Sequence, residues 1–319
     1  MGYGKQILAV ASREKLGGVM TTILVGTGGY SYDDWRGVFY PQDLPRNRML
    51  EFYSREFDFV ELNTTYYRQP SRPMLRNMVR MTPPRFSFAV KAYRGITHER
   101  EQPRQHLHTM LDALEPLRQE GRLGCVLLQF PASFRYNGEN VTLLRHLGQD
   151  LRGTPAVVEF RHQEWLREDV FHLLEENGLG FTCVDEPAFR TLVPPAVRAT
   201  ADVAYVRFHG RNYQKWWHHE DPSERYDYLY TREELAEWVP RIRLLERQAG
   251  KVFVSMNNHR RGQAVINGRM IRELLELTWP TPLVTAETVL QAHSPVLAGP
   301  AEKREALLPD ATHREGVSR

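Results

Sequence analysis

The chain has 319 residues, 41% hydrophobic and 25% charged, enough for one large core and ordinary for a globular protein. Lys and Arg number 42 against 39 Asp and Glu, a net charge of +3, which lacks the basic excess of a general polyanion binder. No apolar stretch approaches the roughly 18 residues of a membrane span, and residues 1–20 lack the charged-then-apolar order of a secretory signal, so the expectation is a cytoplasmic protein with no membrane partner.

From Thr22 onward, short β-rich runs alternate with stretches of helical period. The runs are TILVGT at 22–27, FDFVELN at 57–63, FSFAVKA at 86–92, GCVLLQF at 124–130, AVVEF at 156–160, GFTCVD at 180–185, VAYVRFHG at 203–210 and KVFVSMNN at 251–258. Most gaps carry apolar residues three and four apart, as in PRNRMLEFYSREF, HLHTMLDALEPLRQEG and EDVFHLLEENG, with Gly121, Gly178 and Gly250 placed as C-terminal caps. Eight strands with intervening helices predict an α/β protein, a single (β/α)8 TIM barrel spanning 22–293, rather than an open doubly wound sheet. Residues 1–21 and 294–319 are expected to be mobile extensions, the tail holding a short helix in AEKREALL. Cys125 and Cys183 fall inside strands and are expected to be buried thiols rather than a disulfide or metal site.

Barrel active sites gather side chains from the C-terminal strand ends. Alternation puts Glu61 with Asn63, Glu159 with Arg161, and Arg207 with His209 on shared faces at three such ends. Lys91, Gln129, Asp185 and the Asn257–Asn258 pair close four more strands, so that nearly every strand ends in a polar or ionisable group. Glu61, Glu159, Asp185 and His209 are the candidate acids and bases. Lys91, Arg161 and Arg207 are the candidate anion holders. Mutual pairing that plugs the mouth, such as Glu159 with Arg161 or Asp185 with Lys91, is the structural alternative.

After the first strand, GTGGYSYDDW brings Gly28 and Gly29 beside Tyr30, Tyr32 and Trp35, a loop whose backbone N–H groups can approach a ligand or simply turn tightly. After the seventh, RNYQKWWHHEDPSERYDYLYTREEL is long and aromatic, suited to close over the mouth, stack on bases, or pack against the rim. His98, His106, His108, His218 and His219 are read as solvent-facing or rim residues. Three carboxylates and a histidine could hold a divalent metal, but no compact ligand motif such as HExxH is present and three cations oppose it. No GxSxG elbow marks a nucleophilic serine, and no organic cofactor motif is evident.

Strings in the same order, GTGGYSYDDWRGVFYP, FDFVELNTTYYRQPS, PPRFSFAVKAYRGITH, LLQFPASF, VVEFRH, TADVAYVRFHGR, ERYDYLYTREELAEWVPRI and VFVSMNNHRRGQAVINGR, closely resemble the domain-of-unknown-function family 72, also called YecE-like, over about 22–292. The resemblance implies a barrel and brings no particular reaction. It implies site positions at Gly28, Tyr30, Trp35, Glu61, Asn63, Tyr66, Tyr67, Lys91, Gln129, Glu159, Arg161, Asp185, Arg207, His209, Gly210, Asn257 and Asn258. Met256 stands where the family pattern has an aromatic, a change of packing more than of polarity. The leading expectation is an enzyme using acid/base chemistry on a small or polymeric anionic, phosphate-bearing substrate. The alternatives are a metal-dependent hydrolase, a non-catalytic binder of nucleic acid or nucleotides, and a scaffold that binds another protein.

Overall fold

The computed structural model describes residues 21–279; the expected N-terminal extension and the tail helix lie outside them. Eight strands, β1 (Thr22–Gly28), β2 (Phe59–Leu62), β3 (Ser87–Lys91), β4 (Leu123–Gln129), β5 (Ala156–Glu159), β6 (Leu179–Asp185), β7 (Val203–Phe208) and β8 (Lys251–Met256), pair in parallel. They close in sequence order, with β8 returning to β1. This is the (β/α)8 barrel that the alternation of strand and helix runs predicts.

The strands are slightly shorter than their apolar runs for local reasons. Phe57 ends the helix Met49–Glu56, its N–H donating to Tyr53 O at 3.1 Å, so β2 starts later. The stretch TREELAEWVPRIRLLERQAG at 231–250, whose apolar spacing fits one helix, forms two, Arg232–Ala236 and Val239–Gln248, with Pro240 in the first turn of the second. Among the described residues no helix joins β6 to β7; Pro187, Pro194 and Pro195 stand in that connection and it runs irregularly over the rim. Gly121 and Gly178 adopt the left-handed caps expected of them, at φ +64 in each case, but Gly250 does not. Its N–H donates to Asp202 O at 2.8 Å and a Cβ there would strike the Asp202 carboxylate, so it is glycine for space rather than for conformation.

Inside the barrel, Phe59, Tyr205, Phe253, Leu127, Val157, Ala89 and Cys125 fill the floor. Phe59 and Phe253 meet edge to face with centroids 4.9 Å apart. Cys125 and Cys183 are buried and unpaired, and burial raises both thiols, Cys183 to about 12, leaving them as small apolar fillers. Among the described residues no helix is long and apolar enough to cross a membrane. The dry aromatic floor fixes the height at which polar side chains can start, and they start at Glu61.

Candidate functional site

Above the floor lies a buried ionic tier. Arg207, on β7, donates from Nε and Nη2 to the two oxygens of Glu61 on β2 at 2.9 and 2.5 Å, and from Nη1 to Glu159 Oε2 on β5 at 2.7 Å. Tyr205 Oη and Ser255 Oγ donate to the same Glu61 oxygen at 2.9 and 3.1 Å. Glu61, Glu159 and His209 are all 0% exposed, so each carboxylate exists only because guanidinium and hydroxyl donors replace its water. Burial works against ionised Glu159, yet Arg161 and Arg207 beside it hold its carboxyl well below the usual range.

The next tier forms just past the strand ends. Arg161 Nε lies 2.6 Å from Glu159 Oε1, and its Nη1 donates to Glu186 Oε2 at 2.9 Å. His209 Nε2 lies 3.2 Å from the same Glu159 oxygen; neither approach to Oε1 has the angle of a good hydrogen bond. Asn257 Nδ2 donates to His209 Nδ1 at 3.0 Å, which leaves the proton of the neutral ring on Nε2, toward Glu159. Burial first, then the Arg161 charge, push His209 down to about 3, so it is neutral at pH 7. Gly28 makes room for this arrangement: a Cβ there would collide with Asn257 Oδ1.

Above both tiers opens a cavity of about 710 Å³. Lys91, Arg161, Arg207, Asn63, Gln129 and Asn257 line it, joined by Tyr32, Tyr66, His98, Arg225, Tyr226 and His259. Among the described residues Asp221 is the single acidic side chain in the lining. Lys91 is distinctive. Its Nζ lies 4.8 Å from the centre of the Tyr66 ring and meets no carboxylate or hydrogen-bond acceptor among the described residues. Burial, then the charge of Arg207, push its ammonium down to about 7 against the pull of Glu61 and Glu159.

Three predicted site residues are elsewhere. Asp185 faces the outer layer, accepting from Tyr230 Oη at 2.7 Å, Trp238 Nε1 at 2.7 Å and Arg211 Nη2 at 2.8 Å. The carboxylate that reaches Arg161 from the end of β6, from behind the lining, is its neighbour Glu186, because alternation turns adjacent side chains to opposite faces. Burial pushes Glu186 up to about 7, against the pull of Arg161. Asn258 turns outward as well, donating to Tyr228 O at 2.8 Å and Asn267 Oδ1 at 2.7 Å. Tyr30 is outside the lining: its carbonyl accepts from Tyr40 Oη at 2.6 Å, and its ring packs 6.2 Å from that of Tyr53. The expected Asp185–Lys91 pair does not form, whereas Glu159 with Arg161 does.

Residues from the two long loops complete the lining. Tyr32 stacks on His259 at 4.5 Å with the rings 2° apart, and its hydroxyl donates to Gly28 O at 2.5 Å. His98, expected on the rim, lines the cavity, and burial lowers it to about 4. In the loop after β7, Asn212 Nδ2 donates to Glu224 O and Asp227 O, and Gly210, at φ +94, starts the turn. Trp216 and Tyr230 are buried under it while Trp217 stays 50% exposed, so packing and an open aromatic face coexist in one loop. Nothing in a linear spacing joins His259 or Arg225 to strand ends far from them in the chain. Glu186 had a signal, the parity of β6, which an apolar GFTCVD run does not reveal.

Among the described residues no group of three or more His, Cys, Asp or Glu is arranged to hold a metal ion. Glu61 and Glu159 are already engaged by guanidiniums, a donor set that does not fit a divalent cation.

The family model described as protein of unknown function DUF72 matches residues 24–291. The chain belongs to the DUF72 family. This DUF72 chain is 34% identical over 274 residues to the UPF0759 protein YunF of Bacillus subtilis (strain 168), covering 81% of the chain and 96% of that relative. A DUF72 family crystal structure from Thermotoga maritima is 40% identical, covers 80% of this chain and 99% of its own, and superposes with a TM-score of 0.73. One from Enterococcus faecalis, 25% identical, covers 82% and 99% with the same TM-score. The DUF72 fold thus agrees with the closed eight-stranded barrel described above.

Proposed function

We propose that this DUF72 protein is an enzyme that holds a small anionic substrate, carboxylate- or phosphate-bearing, at the C-terminal mouth of the barrel and works on it by acid/base chemistry. The observation that carries the reading is the segregation of charge: Lys91, Arg161 and Arg207 line the cavity, while Glu61 and Glu159 stand buried behind the guanidiniums. Such carboxylates fix the orientation of the arginines without cancelling their attraction for an anion at short range. In this reading Lys91, drawn toward neutrality, exchanges protons with the substrate, while Glu186, outside the lining, accepts from Arg161 and orients it. Glu61, Glu159 and His209 position the guanidiniums, and Asn63, Gln129 and Asn257 supply neutral hydrogen bonds.

A volume near 710 Å³ suits a small molecule better than a polymer. Titration of the protein with inorganic phosphate and with acetate, followed by calorimetry, tests the reading. Saturable binding of either anion that Arg161→Gln weakens is the expected result; no binding of either to the native protein sinks it.

A second reading, non-catalytic binding of a nucleotide or nucleic acid, draws on one observation. Tyr67 and Trp217 both line the cavity and are 71% and 50% exposed, open to stacking on a base. Binding of a mononucleotide lost in Tyr67→Ala and Trp217→Ala, with no turnover of any phosphate ester or oxo acid, would select it.

A further inference from the structure

We infer that Lys91 is a Schiff-base lysine, its Nζ condensing with the carbonyl carbon of a small aldehyde or ketone whose carboxylate or phosphate group is held by Arg161 and Arg207. The inference rests on the anion-binding reading above and names the substrate class that reading leaves open.

Three features of Lys91 set it apart from a salt-bridging lysine. It ends β3, so its backbone is fixed by the barrel, and Thr65 Oγ1 donates to its carbonyl at 2.6 Å. Its amine projects into the cavity with the face of Tyr66 beneath it and no acceptor or counter-ion among the described residues, so nothing must be broken before it attacks. Of the other charges in the lining, Arg161 and Arg207 have carboxylates locked behind them and hold an anionic tail without offering a competing amine; Arg225 and Asp221 belong to the loop after β7. Burial and the neighbouring Arg207 charge also keep a large share of the amine unprotonated at neutral pH.

The chemistry balances without any further reactant. The Nζ lone pair forms the C–N bond while the carbonyl π pair moves onto oxygen. Nitrogen gives up one proton, and oxygen takes that proton and one more from the buffered solvent. Oxygen then leaves as water while the nitrogen lone pair forms C=N. Amine, carbonyl and one proton thus give an iminium and one water. The iminium withdraws electrons from the adjacent carbon, which makes a C–H or C–C bond there labile to a base.

The chain carries five other lysines, Lys5, Lys15, Lys215, Lys251 and Lys303, which serve as internal references. The test treats the full chain at neutral pH with sodium cyanoborohydride and, in separate arms, glyoxylate, dihydroxyacetone phosphate or the neutral glycolaldehyde, followed by peptide mapping. The expected result is reduced adduct on Lys91 from one anionic probe, formed about tenfold or more faster than on the other lysines. Faster trapping of glyoxylate points to an oxo acid, and of dihydroxyacetone phosphate to a phosphorylated ketone. Excess inorganic phosphate slows it, Arg161→Gln slows it, and Lys91→Arg abolishes it while circular dichroism stays native. Even labelling across the lysines, or glycolaldehyde trapped at Lys91 as fast as the anionic probes, overturns the inference. If Lys91 stays unlabelled while the native protein still binds phosphate or acetate, the Schiff base fails and the anion site stands; if neither anion binds, the reading beneath it fails as well.

Discussion

Arg207 on β7 reaches across the barrel axis to Glu61 on β2 and grips both carboxylate oxygens, at 2.9 and 2.5 Å, with both side chains buried. Two strands that are not neighbours in the sheet are thereby tied at the level where the apolar floor gives way to the cavity. Removing one partner leaves a buried charge with too few partners, so Glu61→Ala is expected to cost about 3–5 kcal/mol in chemical denaturation. Glu61→Leu combined with Arg207→Met and Glu159→Gln should recover part of that loss, because no buried carboxylate is then left without the Arg207 guanidinium. A triple variant no more stable than Glu61→Ala would contradict this account.

The Asp185 carboxylate binds Arg211, Tyr230 and Trp238 in the outer layer and not the cavity. Asp185→Ala is therefore expected to lower stability by about 2–4 kcal/mol, since three buried or half-buried donors lose their acceptor. Phosphate affinity measured by calorimetry on the folded variant should stay within about twofold of native, because a distant, independent site adds no coupling. A large loss of affinity in a well-folded variant would return Asp185 to the site.

Gly28 gives Asn257 its place, and Asn257 in turn donates to His209. A methyl group at Gly28 must displace the amide, so Gly28→Ala is expected to destabilise by about 1–3 kcal/mol. It should also weaken anion binding, whereas Ala at Gly138, where nothing lies within 4 Å of the added Cβ, should leave binding unchanged. Calorimetric titration of both variants with phosphate separates the two.

Lys91 in the folded protein is drawn down to about 7 from an ordinary 10.5. Between those values the folded state binds fewer protons than the unfolded one, so stability rises with pH across the window and the penalty of burying the ammonium is full below it. Lys91→Met lacks this dependence. Its stability relative to native should fall as pH rises from 7 toward 10, by about 1.4 kcal/mol per unit at most. Urea denaturation at several pH values reads the difference, and parallel native and Lys91→Met curves would rule out a depressed lysine.

The strand and helix periods of this sequence determine the barrel by themselves. Eight short, near-continuous apolar runs, separated by stretches at period 3.6, leave few other ways to bury both faces of a parallel sheet. The same local rule places Glu61, Lys91, Glu159, Arg161, Arg207 and His209 at strand ends on common faces, which suffices to bring them together once the barrel closes. Period two says which neighbours share a face, but not which face is inward in a strand as evenly apolar as LGFTCVD; hence Asp185 and Glu186 exchange roles, and Asn258 turns away while Asn257 turns in. The contributions of His98, His259, Arg225 and Tyr226, and the lack of a salt-bridge partner for Lys91 among the described residues, come from loop packing and strand register. Those are long-range relations, set by the energy of the whole assembled core, and no local pattern encodes them.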